Sequence, residues 1–136
     1  MCAPHSELVH AAFDAWKRRD LEAVLALCEP DVEVRSLMTE AERATYRGHQ
    51  GVRDWLAAVV DVFPDWRPEP LGVAESGTSA IAPFCVTGTG AASGAPIAQT
   101  YWFGARFSDA GRIAFFGFFR SEADALQAAR PISSTR

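Results

Sequence analysis

Beyond Ser76 the chain contains three long strand-like segments, residues 78–89, 98–107 and 112–120, joined by the Gly/Ser-rich stretch GTGAASGAP and by SDAG. Both connectors have the composition of hairpin turns, so the segments are expected to pair side by side in an antiparallel sheet. A sheet of this kind has to cover an apolar face, and the sequence ahead of it supplies the cover. Ser6 is placed to cap a helix in which Leu8, Val9, Ala12, Phe13 and Trp16 recur at helical spacing. Asp20 caps a short second helix with Leu21, Val24, Leu25 and Cys28 on its apolar side. Glu29 precedes Pro30 and is biased out of the helical region, which ends that helix. A third helix presents Val52, Trp55, Leu56, Val59, Val60 and Phe63 along one stripe and stops at Pro64.

Between the second and third helices, DVEVRSL (31–37) alternates Val32, Val34 and Ser36 against Asp31, Glu33 and Arg35, which is the pattern of a strand. Pro68 and Pro70 cannot donate to a ladder, so the segment after Trp66 reads as an edge or irregular strand. Pro83, inside a longer strand, predicts a bulge. Ser121, with Asp124 three residues later, has the capping spacing for a last helix that runs to about residue 129. The expected architecture is a single α+β domain over residues 1–136, with residues 1–5 and 131–136 frayed. A curved, mainly antiparallel (mixed) sheet wraps around the N-terminal helices as a cone with an internal pocket.

Composition narrows the function classes. A chain of 136 residues with 49% hydrophobic and 22% charged residues has the make-up of an ordinary globular protein. Its formal net charge of -4 and lack of clustered Lys and Arg argue against a nucleic-acid partner. The N-terminal MCAPHSELVH has no apolar core of a leader, and no apolar run is long enough to cross a bilayer, so no membrane association and a cytoplasmic location are expected. Cys2, Cys28 and Cys85 are odd in number and unpatterned, as free thiols would be. His5, His10 and His49 make no ligand-spaced set with them, so no metal is expected. No cofactor is expected either: nucleophile-elbow, phosphate-loop, dinucleotide and zincin motifs are all missing. GTGAASG is followed by another strand, so no helix N-terminus stands behind it to bind phosphate.

The segments FDAWKRRDLEAVLALCEPDVEVRS, YRGHQGVRDWL and ASGAPIAQTYWFGARFSDAGRI, with the ending SEADALQAA, resemble the SnoaL-like proteins of the nuclear transport factor 2-like, cystatin-like cone superfamily. The resemblance covers roughly residues 6–129. It implies the cone fold and a homodimer through the outer sheet face. It does not imply one activity, because that superfamily holds polyketide cyclases, ketosteroid isomerases, epoxide hydrolases, dehydratases and non-catalytic binding proteins. Set against the isomerases, the general base would fall near Arg35 or Ser36 and the hydrogen-bonding acid near Thr100. None of these is a carboxylate, and no Asp or Glu lies between Ser76 and Ser108, so the isomerase mechanism is not implied.

Candidate site residues follow from both lines of reasoning. Glu33 is the strand carboxylate able to act as a base if its face lines the pocket, with Arg35 beside it; if that face meets water, both are ordinary surface charges. His49 has a free pKa suited to proton transfer, yet at a helix start between Gly48 and Gly51 it can equally cap or pack. Tyr46, Trp55, Phe84, Thr100 and Trp102 are candidate pocket walls, and the resemblance adds Phe116 and Phe118. Arg35 or Arg120 could stabilise negative charge developing on oxygen. The functional expectation is a cofactor-independent isomerase, cyclase or hydrolase acting on a small hydrophobic molecule. A binding module without chemistry, or a dimeric interaction protein, is the alternative.

Overall fold

A computed structural model of the chain describes residues 5–35 and 45–129. In chain order the elements are α1 (His5–Arg18), α2 (Leu21–Ala26), β1 (Cys28–Arg35), β2 (Thr45–Arg47), α3 (Gly48–Val62), β3 (Arg67–Pro70), β4 (Ala74–Ser76), β5 (Ser79–Thr89), β6 (Pro96–Phe107), β7 (Ile113–Phe119) and α4 (Glu122–Ala129). The strands form one mixed sheet in the order β2-β1-β7-β6-β5-β3, with β4 also paired to β5. All pairings are antiparallel except β1 with β7, which run parallel. The fold is therefore α+β with a mixed sheet, as the sequence pattern requires.

Helix α1 buries Val9, Ala12, Phe13, Ala15 and Trp16, the expected stripe, and α3 buries Val52, Trp55, Leu56 and Val59. These side chains meet Val32, Val34, Ala82, Phe84, Val86, Phe103, Ala105, Phe116 and Phe118 of the sheet in one core. Burying a side chain of this size contributes about 1.5–3 kcal/mol each, so this face is where most of the apolar driving force lies. The expectation of helices on one face holds for α1, α2 and α3, since Val24 and Leu25 of α2 join the same core. The opposite face carries a second cluster in which Ala125 and Ala129 of α4 pack on Ile81, Phe115 and Phe119. Ser121 does cap α4: its hydroxyl oxygen accepts from the Asp124 amide at 3.1 Å. Likewise the Asp20 carboxylate accepts from the Ala23 amide at 3.2 Å and opens α2.

Several local expectations are corrected. α1 begins at His5, one residue before the expected cap at Ser6. The His5 ring stacks on Phe107 at a centroid distance of 4.1 Å, so His5 is held rather than frayed. Cys28 starts β1 instead of ending α2, because Cys28 pairs with Ile113 of β7. The strand passes through Pro30 by an irregularity between Cys28 and Glu33, where no ladder donor is required. Pro83 makes no bulge: the β5–β6 register runs unbroken through the Pro83–Trp102 pair. The Pro83 carbonyl oxygen accepts from the Leu71 amide at 2.8 Å, so the donorless nitrogen faces the gap between β3 and β4 rather than β6. The expected strand end at Ser36 and Leu37, residues 1–4 and the 131–136 tail lie outside the described residues. Among the described residues, no helix is long and apolar enough to cross a membrane.

Candidate functional site

Between the C-terminal half of α3 and the inner face of β5, β6 and β7 lies a cavity of about 370 Å³, lined by Trp55, Val59, Val62, Phe63, Trp66, Phe84, Val86, Ile97, Gln99, Tyr101, Phe118 and Arg120. That volume lies at the lower end of the range for small-molecule pockets. Strand alternation explains the membership. Phe84 and Val86 on β5 share a face; Phe84 pairs with Tyr101 and Val86 with Gln99, so Tyr101 and Gln99 of β6 share it too. On β7, Phe118 pairs with Phe103, and both belong to the same inner core. Arg120 follows one residue after β7, alongside Tyr101 by continuation of the Trp102–Phe119 register. From α3, Trp55, Val59 and Val62 recur along one stripe.

Trp55, Trp66, Phe84, Val86 and Phe118 are buried and form the inner end of the cavity, whereas Val62, Gln99 and Arg120 are exposed at its mouth. The inner end is a stack of rings: Trp55 and Phe118 lie parallel at 5.4 Å, and Phe84 meets Phe118 edge-on at 5.3 Å. Trp66 stands at 88° to Trp55 with centroids 5.9 Å apart. Edge-to-face and offset contacts of this kind fix ring orientation as well as burying area, which gives a rigid apolar wall. The polar groups of the lining are Gln99, Tyr101, Arg120 and the indole N–H groups of Trp55 and Trp66. The Trp55 indole N–H is buried and has no hydrogen-bond partner among the described residues.

The mouth is braced by the turn between α3 and β3. The Asp65 carboxylate accepts from the Thr89 amide at 2.7 Å, and the Ala91 amide donates to the Val62 carbonyl at 2.9 Å, tying the tip of the β5–β6 hairpin to the end of α3. The Thr89 amide holds the Asp65 pKa below the usual carboxylate value. Arg19 lies over the Trp66 ring at 5.7 Å and donates to the Pro64 carbonyl at 3.0 Å. Partial burial lowers its pKa, with the nearby Asp65 charge opposing the shift.

The structure sorts the sequence candidates into two groups. Trp55, Phe84, Phe118 and Arg120 are brought together in the cavity wall. Phe116 is not part of that wall: it sits fully buried among Trp16 at 5.1 Å and Trp55 at 5.3 Å, in the solid core behind it. Tyr46 is half-buried and packs against the same core, outside the cavity lining. Trp102 and Thr100 alternate with Tyr101 and Gln99 and so face outward, where Trp102 packs near α4 and Thr100 is exposed. The expectation of Trp102 as a pocket wall fails because Trp102 pairs with Pro83 and so shares the outer face with it, whereas Tyr101, paired with Phe84, takes the inner one.

Glu33 and Arg35 also lie on the outer face. Val32 and Val34 take the inner one, fully buried. Glu33 is within 3.6 Å of Arg35 and 3.5 Å of Arg47, and the Arg35 guanidinium stands 5.6 Å from the centre of the Phe115 ring. Neither is positioned to exchange a proton with a molecule in this cavity. His49 is likewise outside the lining; its Nε2 lies 3.4 Å from the Cys28 carbonyl oxygen and ties the first turn of α3 to β1. The glycines beside it serve packing. Gly48 adopts φ +73, and a Cβ on Gly51 would come within 2.9 Å of the Tyr46 carbonyl carbon.

Sequence reasoning missed Val59, Val62, Phe63, Trp66, Val86, Ile97, Gln99 and Tyr101 as site residues. The signal for three of them lay in the hairpin register, which sets Phe84 against Tyr101 and carries Gln99 and Ile97 to the same face. No carboxylate and no imidazole is present among the described lining residues. Among the described residues, no group of three or more His, Cys, Asp or Glu could hold a metal ion.

Comparison with known proteins agrees with the fold. Residues 9–116 match the family of the SnoaL-like domain. No curated protein matches the chain. Among solved structures, an NTF2-like protein of unknown function from Burkholderia pseudomallei K96243 superposes with a TM-score of 0.76 at 23% identity, over 93% of this chain and 97% of that one. A protein from Sinorhizobium meliloti, proposed to be a polyketide cyclase, gives a TM-score of 0.67 at 26% identity, over 85% of this chain and 94% of the other. TerC, co-crystallised with polyporic acid, gives 0.78 at 21% identity, over 92% and 97%.

Proposed function

We propose that this chain, which belongs to the SnoaL-like domain family, binds a small, largely hydrophobic organic molecule in its cone cavity. The observation that carries the reading is the 370 Å³ cavity, whose buried end is made of Trp55, Trp66, Phe84 and Phe118 and whose mouth carries Gln99, Tyr101 and Arg120. An aromatic wall with a few polar groups at one end suits a ring-bearing ligand, since the wall supplies area and the polar end supplies orientation. The test is titration with the neutral fluorophore N-phenyl-1-naphthylamine. Saturable binding, lost when Val59→Trp fills the cavity, is expected; binding that Val59→Trp leaves unchanged would sink the reading.

A second reading, cyclisation of a flexible polycarbonyl chain, is supported by the Sinorhizobium meliloti neighbour. Under it the cavity would fold the chain against the rings while Arg120 and Tyr101 stabilise an enolate oxygen. No base among the described lining residues is available to start that reaction, so pure binding is favoured. Glu33→Gln and His49→Gln should leave ligand affinity unchanged; a loss of turnover in either, with folding intact, would restore them as catalytic.

The same proposal includes a homodimer through the outer face of β5 and β6, where Thr87, Ala98 and Thr100 are exposed and uncharged. Sedimentation should show a dimer that Thr100→Arg dissociates. A reducing cytoplasm suits the free thiols of Cys28 and Cys85.

A further inference from the structure

Helix α1 ends in a Schellman turn. The Arg19 amide donates to the Trp16 carbonyl at 3.1 Å and the Asp20 amide to the Ala15 carbonyl at 2.9 Å, the paired bonds that close such a turn. The residue at its corner takes a left-handed backbone, and here that residue is Arg19, at φ +59. Among the described residues it is the one non-glycine with a positive φ. Glycine usually fills this position, because a β-carbon is crowded there. A residue held at such a cost points to a task for its side chain.

That side chain reaches from the turn to the corner between α3 and β3. Its Nη1 donates to the Trp16 carbonyl at 2.9 Å, and its Nη2 donates to the Pro64 carbonyl at 3.0 Å. The guanidinium carbon stands 5.7 Å from the centre of the Trp66 ring. Phe63 and Trp66, on either side of this corner, both line the cavity. A planar fork can tie carbonyls of two segments at once and still lie against a ring, which an ammonium cannot do. The Trp66 ring is buried, with Trp55 at 5.9 Å and Trp16 at 6.5 Å. Arg19 itself is half-buried and lies outside the lining.

We infer that Arg19 is a positioning residue for the ligand cavity, acting through Trp66: it clamps the 63–66 corner to the end of α1 and so sets the place of the Trp66 ring in the wall. This inference rests on the hydrophobic-ligand reading above and deepens it by naming what holds the wall. Without the clamp the corner keeps its ties to the β5–β6 hairpin through Asp65 and Ala91, so the fold survives while the ring gains freedom. A ligand must then order that ring as it binds, at a cost in affinity.

The experiment pairs Arg19→Gly with Trp66→Leu in a double-mutant cycle, read by affinity for N-phenyl-1-naphthylamine. Glycine suits the left-handed backbone, so Arg19→Gly removes the clamp without adding strain. It should weaken probe binding about fivefold, the size of a partly buried cation–π contact. In the Trp66→Leu background the same change should have no further effect, because the residue it acts through is gone. Arg19→Lys keeps the charge without the fork and should recover affinity in part. Lys17→Gln cuts the surface pair with Glu69 at 3.0 Å, which also joins α1 to β3, and should leave affinity unchanged. In protein labelled with nitrogen-15 at tryptophan, the Trp66 indole signal should shift in ligand-free Arg19→Gly, while that of Trp102, near α4, stays in place. Unchanged affinity in Arg19→Gly overturns the inference while the cavity stands. A loss of affinity with the Trp66 signal unmoved, or losses that simply add across the cycle, also overturns it, since Arg19 would then act by another route. If Trp66→Leu folds poorly by circular dichroism or binds too weakly to measure, Trp66→Phe identifies the indole signal, and the affinity and shift in Arg19→Gly decide. If Val59→Trp leaves probe binding unchanged in the otherwise native protein, the cavity reading fails and this inference fails with it.

Discussion

The two faces of the sheet are built from the same strands and differ in nearly everything else. The inner face buries Val32, Val34, Phe84, Phe103, Phe116 and Phe118 against α1 and α3. The outer face places Arg35 and Arg106 over Phe115, sets Glu33 between Arg35 and Arg47, and lets α4 cover only part of it. Side chains alternate every residue along a strand, so each acidic or basic group assigned to the outside is one lost to the inside. The interior consequently has surface for binding but few groups for moving protons, and the polar chemistry it does have enters from the rim.

The comparison can be broken from its strongest side first. Phe116→Ala removes a fully buried ring from the inner core and should lower unfolding stability by about 3–5 kcal/mol in a denaturant titration. A loss below about 1 kcal/mol would mean that the inner face is less tightly packed than its ring contacts indicate. Gly51→Ala should cost roughly 1–3 kcal/mol, because its new methyl would stand against the Tyr46 backbone, which cannot swing aside as a flexible side chain can.

Outer-face substitutions should be milder. Glu33→Gln loses contacts with Arg35 and Arg47 near the surface, so a stability change below about 1 kcal/mol and an unchanged ligand affinity are expected. A large loss of affinity would show that the two faces communicate.

The smallest effect concerns pH at the cavity mouth. Asp65 has its pKa lowered in the fold, chiefly by the Thr89 amide, so its stabilising contribution is full above the ordinary carboxylate pKa and fades as pH falls through the lower, folded value. Amide exchange at Thr89 and Ala91, read after correction for the intrinsic rate, should therefore lose protection on acidification through that range. Asp65→Asn should flatten the dependence.

Much of the fold can be read from local pattern. The stripes of α1 and α3, the caps at Asp20 and Ser121, the edge position of Pro68 and Pro70 and the two hairpins all follow from residue type and spacing over a few positions. β2 and β4 are three residues each, too short for a period to show. Pro83, expected to make a bulge, sits in an unbroken ladder, and Pro30, expected to end α2, sits at a strand irregularity, because what matters is whether the missing donor faces a ladder, which depends on the neighbouring strand.

The site was legible only in part, for the same reason. The sequence by itself determined which residues share a face: Glu33 with Arg35, Phe116 with Phe118 and Arg120, Phe84 with Val86. Only the tertiary structure decided which of the two faces turns inward, because a period of two is unchanged when the strand is turned over. It placed Val32 and Val34 inside, and that choice moved Glu33 out of reach of the cavity. Pairing in space, not spacing along the chain, then set Tyr101 and Gln99 beside Arg120 and gave the cavity its polar end.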